Sequence, residues 1–191
     1  RMPALADNVS DQRLLIDLEP VVERELNRHL STAQEWFPHE YVPWSEGEDF
    51  AGPLDGREWT PDELRFSDAA RTSLIINLLT EDNLPSYHTE IATNVGTTGA
   101  WAEWLGRWTA EEARHGTAIR DYLLVTRSVD PAALEDARMA HMQAGFTAIN
   151  PGFLAGLTYV SFQELATRVS HRNTGAATGD PIAEQLMARI A

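Results

Sequence analysis

The sequence predicts an all-α fold, and two observations support this prediction. Apolar residues recur every three or four positions in six separate stretches, which is the spacing of one helix face. No stretch alternates apolar and polar residues as a half-buried strand does, and no internal repeat is visible. At 191 residues with 43% hydrophobic content, the chain is long enough for one core, so a single domain over residues 1–191 is predicted.

The first predicted helix covers residues 10–32, where Pro20 indicates either a kink or a split because proline lacks a backbone N–H. Residues 36–61 contain four prolines and three glycines, so a long loop is predicted there. A second helix starts after an N-cap at Ser67 and is expected to continue through Pro85 with a kink.

Breaks in the pattern separate the remaining helices. A third helix is predicted over residues 100–127, a fourth over 131–144, and a fifth over 151–174, which the Asn-Thr-Gly cluster at 173–175 is expected to end. A sixth helix starts at Pro181 and has no C-cap before the last residue. Part of the C-terminal region is therefore expected to be missing from this sequence.

The amino-acid composition limits the kinds of catalytic and metal site that the chain can form. The chain has no cysteine, which excludes disulfides, thiolate catalysis and iron–sulfur ligation by its own residues. Any metal must therefore bind histidine and carboxylate ligands. All 15 basic residues are arginine, so Schiff-base chemistry at lysine is also excluded.

The charge is strongly acidic, with a net charge of -14 and a pI near 4.7. This balance argues against nucleic acid as a partner, because non-specific binding to nucleic acid needs a basic surface. No window reaches the length and apolarity of a membrane span, and residues 1–10 lack a signal-peptide core. A cytoplasmic location without a membrane span is expected.

Glu112 and His115 form a Glu-x-x-His pair inside the third predicted helix. Residues three apart on a helix share a face, so both side chains can reach one metal. The pair alone is weak support, because a solvated face can carry the same spacing. Glu81 and Glu164 lie among apolar residues of the second and fifth helices, where a buried lone carboxylate needs a cation. An exposed acid on a helix edge is the alternative for each.

The order of these acids matches a known kind of site. A carboxylate-bridged di-metal centre in a four-helix bundle takes one Glu from each of two helices and Glu-x-x-His from each of the other two. This chain supplies Glu, Glu-x-x-His and Glu in that order. The second Glu-x-x-His is expected on the sixth helix, past the end of this sequence.

Five stretches, spread over nearly the whole chain, carry a resemblance to a known family. They are LEPVVERELNRHL, WFPHEYVPWSEGEDF, LLTEDNLPSYHTEIA, WLGRWTAEEARHGTAIRDYLLVTRSVDP and YVSFQELATRVSHRNTG. Together they resemble the soluble acyl-ACP desaturases (ACP, acyl carrier protein), especially their mycobacterial branch. The resemblance implies a ferritin-like four-helix bundle with extra helices and a centre of two iron ions.

The resemblance implies four iron ligands in this chain: Glu81, Glu112, His115 and Glu164. Glu112 is the expected bridging carboxylate, and Glu81 and Glu164 are the expected terminal ones. The resemblance also implies that Thr167 acts in oxygen activation. The family pattern continues with an Asp-Glu-x-x-His motif, which would supply the remaining ligands beyond residue 191.

The implied activity is the introduction of a cis double bond into a fatty acyl chain carried by ACP, in fatty acid biosynthesis. Removing hydrogen from an unactivated C–H bond is beyond amino-acid side chains and needs a redox metal and O₂. Reducing O₂ to water takes more electrons than the substrate yields, so an outside electron source is needed, and the resemblance implies a ferredoxin-type donor. A homodimer is a further expectation from the family.

Two other functions remain open from the sequence. A metal-free or truncated bundle without catalytic activity could act as a partner subunit. A ferritin-like oxidase or iron-storage protein would share the ligand pattern but would have no use for ACP. Metal content and acyl-ACP binding distinguish these alternatives.

Several other residues have a functional and a structural interpretation. Trp36 matches a family tryptophan proposed to lie on the electron route, although a packed loop anchor explains it equally well. His171 is predicted to be a hydrogen-bonded structural histidine. Arg57, Arg65 and Arg71 are candidates for docking ACP near the start of the second helix.

Overall fold

The computed structural model describes residues 9–146 and 152–191. Within these ranges all regular structure is helical apart from one isolated bridge between Phe50 and Arg57, which confirms the all-α prediction. The described α-helices are α1 Val9–Thr32, α2 Asp68–Asp82, α3 Leu84–Val95, α4 Gly99–Val125, α5 Pro131–Ala144, α6 Phe153–Thr178 and α7 Pro181–Ile190.

The segment predicted as a loop between α1 and α2 contains three short 3-10 helices, Pro38–Glu40, Trp44–Glu46 and Pro61–Glu63. Two of them start at a proline, whose fixed φ favours a helical turn. In the first, the Phe37 N–H donates to the Glu40 carboxylate at 2.6 Å, which closes the turn. The prediction of no regular element here was therefore wrong for these turns.

Arg127 ties this segment to the end of α4. Its guanidinium donates to the Glu63 carboxylate and, at 3.0 Å, to the Arg57 carbonyl, and it lies 4.2 Å from the centre of the Phe50 ring. Its φ of 53° takes the chain out of the helix, so α4 ends at Val125 rather than at residue 127 as predicted. Burial of Arg127 thus fixes the long segment against the helix end.

The two prolines inside predicted helices behave differently. Pro20 does not interrupt α1, which runs through it as one continuous helix. Near Pro85 the predicted kink is instead a break, with α2 ending before Asn83 and α3 beginning after it. Pro85 has no N–H to extend the ladder of α2, and the Asn83 N–H closes the last turn on the Thr80 carbonyl at 3.3 Å.

Aspartates cap α5 and α7, and each directly precedes the proline that begins the helix. The Asp130 carboxylate accepts the Ala132 N–H at 2.9 Å, and the Asp180 carboxylate accepts the Ile182 N–H at 2.7 Å. Each interaction satisfies a free donor of the first helical turn. The predicted start of the fifth helix at Pro151 lies outside the described residues.

Gly175 lies inside α6, so the predicted end of this helix at residues 173–175 was wrong. A Cβ at Gly175 would lie 2.9 Å from the Met187 Cβ and 3.1 Å from the Glu184 Cα. The glycine therefore permits close packing of α7 on α6. The helix ends instead before Gly179, whose φ of 67° suits glycine.

The described residues form two compact units. The first contains α1, α3, α4 through Glu112 and α6 through Leu165. In it, buried Trp101 donates its indole N–H to the Leu15 carbonyl at 3.0 Å. The second contains residues 36–83, the rest of α4, α5, the rest of α6, and α7. Its core includes Leu74, Leu78, Ile119, Tyr122, Leu123, Leu186 and Met187.

The close packing at Gly175 predicts that two glycine-to-alanine substitutions change the free energy of unfolding in opposite directions. Gly175→Ala should lower the free energy of unfolding by about 1–3 kcal/mol, because the new methyl group overlaps Met187. Gly106→Ala, on α4, meets no atom within 4 Å and should raise it by about 1 kcal/mol through helix propensity. Urea unfolding measures both, and a stabilising Gly175→Ala would contradict the packing described.

Glu63 predicts a pH-dependent contribution to stability. Hydrogen bonds from Arg127 and then Arg57 lower the pKa of its carboxyl from 4.5 to about 2. Since the folded-state pKa is depressed, the stabilisation is present above about pH 4.5 and is lost as pH falls toward 2. Glu63→Gln should therefore lower the urea midpoint near pH 7, and the difference from wild type should shrink below pH 4.5.

The control for this prediction is Glu48→Gln. Glu48 also accepts from Arg57, but both side chains are more than half exposed, so its removal should change the midpoint little. A Glu63→Gln deficit that stays constant from pH 7 to pH 3 would contradict the assigned charge interaction.

Candidate metal centre

Helix α4 supplies two of the predicted ligands. Glu112 and His115 are three residues apart on this continuous helix, so their side chains project from neighbouring turns of one face. Both are half-buried. The following turn contains Ala118 and Ile119, which are fully buried in the core. The apolar packing of α4 therefore fixes the direction in which this face points.

Glu81, in the last turn of α2, is the third predicted ligand of this group. Gly116 follows His115 on α4, and a Cβ there would lie 3.4 Å from the Glu81 Cβ. The small residue lets α4 approach α2 closely at this level. The ligand atoms of Glu81, Glu112 and His115 all lie within 4.8 Å of one another.

The Glu81 side chain is only 9% exposed and lies between two histidines. Its Oε2 is 3.6 Å from His115 Nδ1, and its Oε1 is 3.0 Å from His171 Nε2. Burial alone would raise the pKa of this carboxyl, but hydrogen bonding and charge from His115 and His171 outweigh burial and lower the pKa to about 2. Glu81 is therefore ionised at neutral pH, as a metal ligand must be.

Trp36 packs against the His115 ring. The two rings are stacked, with centres 6.0 Å apart and planes 12° apart. Arg114 fixes Trp36 in turn, because its guanidinium donates to the Trp36 carbonyl at 3.0 Å and lies 5.1 Å from the ring centre. Trp36 thus acts as a buried anchor that holds the imidazole, which agrees with one of its two predicted interpretations.

His171, on α6, contacts this cluster although it is outside the predicted ligand set. It was predicted to be a hydrogen-bonded structural histidine, and its hydrogen-bond partner is the candidate ligand Glu81. The available signal was its place seven residues after Glu164, on the same helix face. That signal gave no indication of Glu81, which is 90 positions earlier in the chain.

The remaining two predicted site residues also lie on α6. Glu164 is exposed, and among the described residues it does not belong to the group formed by Glu81, Glu112 and His115. Thr167 is half-buried and lies nearly one turn further along the helix. Their roles at a metal centre remain predictions.

The arginines predicted to dock ACP make ion pairs within the chain. Arg57 pairs with Glu48 and Glu63, Arg65 lies 3.6 Å from Glu46, and Arg71 lies 2.8 Å from Asp68. An acidic partner would have to compete with these carboxylates. The docking role of the three arginines remains a prediction.

The donor set of the cluster fits a cation. Two carboxylates and one imidazole suit iron or manganese better than soft metals. Glu81 and Glu112 together balance the charge of a divalent ion, and His115 adds a neutral nitrogen donor. The three residues gathered here are enough for one metal, and a second metal needs further ligands.

Among the described residues, none of the helices combines the length and the apolar character needed to cross a membrane.

Comparison with known proteins identifies the family. A family model described as "Fatty acid desaturase" matches residues 10–191. The chain is 54% identical over 197 residues to "Putative acyl-(acyl-carrier-protein) desaturase DesA1" of Mycobacterium tuberculosis, covering 97% of this chain and 57% of that protein. It is 35% identical to the chloroplastic stearoyl-ACP 9-desaturase of Spinacia oleracea, covering 82% of this chain and 41% of that protein.

A solved structure shares the fold. The X-ray structure of "putative acyl-ACP desaturase DesA2" from M. tuberculosis matches with a TM-score of 0.68 and 36% identity, covering 93% of this chain and 63% of that one. This likeness confirms the ferritin-like helical fold. The chain spans little more than half the length of the mycobacterial relative DesA1. The chain therefore belongs to the fatty acid desaturase family, in the mycobacterial branch of its acyl-ACP desaturases.

Proposed function

We propose that this protein is an acyl-ACP desaturase that introduces a cis double bond into a fatty acyl chain carried by ACP, using a di-iron centre, O₂ and external electrons. The observation that carries the proposal is the half-buried group Glu81, Glu112 and His115 in a chain of this family. Relatives named as acyl-ACP desaturases support the substrate class.

In the proposed reaction, one –CH₂–CH₂– unit, O₂, two electrons and two protons give –CH=CH– and two molecules of water. Two iron ions held at this site would supply the oxidising power for the reaction together with O₂. The substrate provides two of the four electrons that O₂ needs, so a ferredoxin-type donor is proposed for the other two.

The residues of this chain are proposed to hold and orient the centre. Glu81 would present Oε2 to the metal as an ionised carboxylate, and Glu112 would bridge two metals. His115 would add an imidazole whose ring is held by Trp36. Stacking against a buried tryptophan restricts rotation of the imidazole and so favours one ligand geometry.

Two residues of α6 are proposed to complete this side of the site. Glu164 would act as a terminal ligand, and the Thr167 hydroxyl, nearly one turn further on, would hold a proton at Oγ1 for oxygen reduction. The other ligands would come from a second Glu-x-x-His, which this sequence does not contain. A homodimer is proposed as the assembled state.

The proposal predicts that His115→Ala lowers Fe(II) affinity by about 100-fold or more, because loss of a ligand should exceed the 10–100-fold cost of an outer-shell change. Desaturation should fall with it. The measurements are iron content after anaerobic loading and the loss of two hydrogens from an acyl-ACP substrate in the presence of O₂ and reduced ferredoxin.

His39→Ala is the matched control, because His39 is an exposed histidine that stacks on Phe37 and not on the cluster. Iron binding with no product from any acyl-ACP would refute the desaturase assignment. Iron-dependent O₂ consumption without acyl-ACP would favour a ferritin-like oxidase instead.

A second prediction concerns Thr167. Thr167→Val keeps the shape of the side chain but removes the hydroxyl, so iron content should stay unchanged while the desaturation rate falls by about 100-fold, the lower end of general acid catalysis. Single-turnover product formation is the measurement. An unchanged rate would remove Thr167 from the proposed mechanism.

A further inference from the structure

We propose that His171 is a positioning residue of the metal centre, whose Nε2–H holds Oε1 of Glu81 and thereby directs Oε2 toward the metal. This inference rests on the metal centre of the proposed function. It concerns a residue outside the predicted ligand set.

The contact is short and buried. His171 Nε2 lies 3.0 Å from Glu81 Oε1, and the two side chains are 5% and 9% exposed. Water therefore has little access to either group, and a hydrogen bond between them is stronger than it would be at the surface.

The other nitrogen of the ring has no comparable role. His171 Nδ1 is buried and has no hydrogen-bond partner among the residues that the structure describes. Among these residues, the polar anchor of the imidazole is thus the Glu81 carboxylate. If His171 only connected two helices, hydrogen bonds to both ring nitrogens would stabilise the fold more than a hydrogen bond to one. A buried polar group without a hydrogen bond destabilises the fold.

A polar clamp sets the register of α6 on α2. The Asn77 side chain accepts a hydrogen bond from the Ser170 hydroxyl at 3.1 Å and donates one to the Thr174 hydroxyl at 2.9 Å. Asn77 lies one turn before Glu81 on the same face of α2, and Ser170 directly precedes His171. These two hydrogen bonds therefore hold His171 level with Glu81, so the contact between His171 and Glu81 is fixed by the packing of the two helices.

His171 is not itself one of the candidate ligands. The described group of converging ligand atoms contains Glu81, Glu112 and His115 but not His171. The His171 ring instead meets the His115 ring edge to face, with centres 6.5 Å apart. His171 thus acts through Glu81: with Oε1 occupied, the carboxylate binds a metal through Oε2 alone. Such outer-shell hydrogen bonds change metal affinity by about 10–100-fold.

The test compares the Mn(II) affinity of three variants with that of wild type. The EPR signal of free Mn(II) measures how much of the ion remains unbound. Manganese accepts the same carboxylate and imidazole donors and avoids reaction with O₂. His171→Gln keeps an N–H donor near the position of Nε2 and should bind within about threefold of wild type. His171→Asn has a shorter amide that cannot reach Oε1, and His171→Leu has no donor. Both should lose about 10–100-fold in affinity.

Infrared difference spectra on Mn(II) addition provide a second readout. In wild type and His171→Gln, the wide separation between the two carboxylate stretches of a one-oxygen ligand is expected. In His171→Asn the separation should narrow as Glu81 binds through both oxygens. A purely structural role would not produce this change.

Equal losses in His171→Gln and His171→Asn, or no loss in either, would overturn the inference, as would a wild-type protein that binds no Mn(II). Thermal unfolding of the metal-free variants identifies any variant that fails to fold. If His171→Leu fails to fold, the comparison between His171→Gln and His171→Asn still tests the inference. Normal Mn(II) results without acyl-ACP desaturation would refute the proposed reaction and leave the role of His171 intact.

Discussion

Burial of the Glu81 carboxylate is the constraint on which the candidate centre depends. An ionised side chain that is 9% exposed needs compensation, and His115 and His171 provide it from α4 and α6. Both contacts require close helix packing, which Gly116 permits on α4 and the Asn77 clamp fixes on α6. Removing the histidines would leave a buried charge without a partner, so the fold and the ligand geometry are stabilised by the same contacts.

The long segment after α1 supports this arrangement through its contact with His115. Trp36 begins the segment and stacks on the imidazole, and Arg114 binds the Trp36 backbone. Further along, Arg127 holds the segment through Glu63 and backbone carbonyls. A region that has little regular structure is therefore fixed by buried Arg127 and half-buried Arg114, and it can hold a ligand ring in place.

Local signals predicted much of this protein from sequence. Helical spacing located most helices, and the Glu-x-x-His pair located Glu112 and His115. Long-range contacts were not predictable in this way. The contact between His171 and Glu81 joins residues 90 positions apart, and Gly175 resembles a helix terminator until its distance to Met187 is known. The break at Asn83 was missed because proline signals a disturbance without specifying a kink or a break.

Glu81, Glu112 and His115 are proposed to bind a metal ion together. Diffraction data collected on both sides of the iron absorption edge, from crystals loaded anaerobically with Fe(II), test it most directly. We expect an anomalous peak at coordination distance from the Glu81 carboxylate and the His115 imidazole, with His171 in contact with Glu81 but not with the peak. A fully loaded crystal with its iron elsewhere, or with no peak at this cluster, would contradict it.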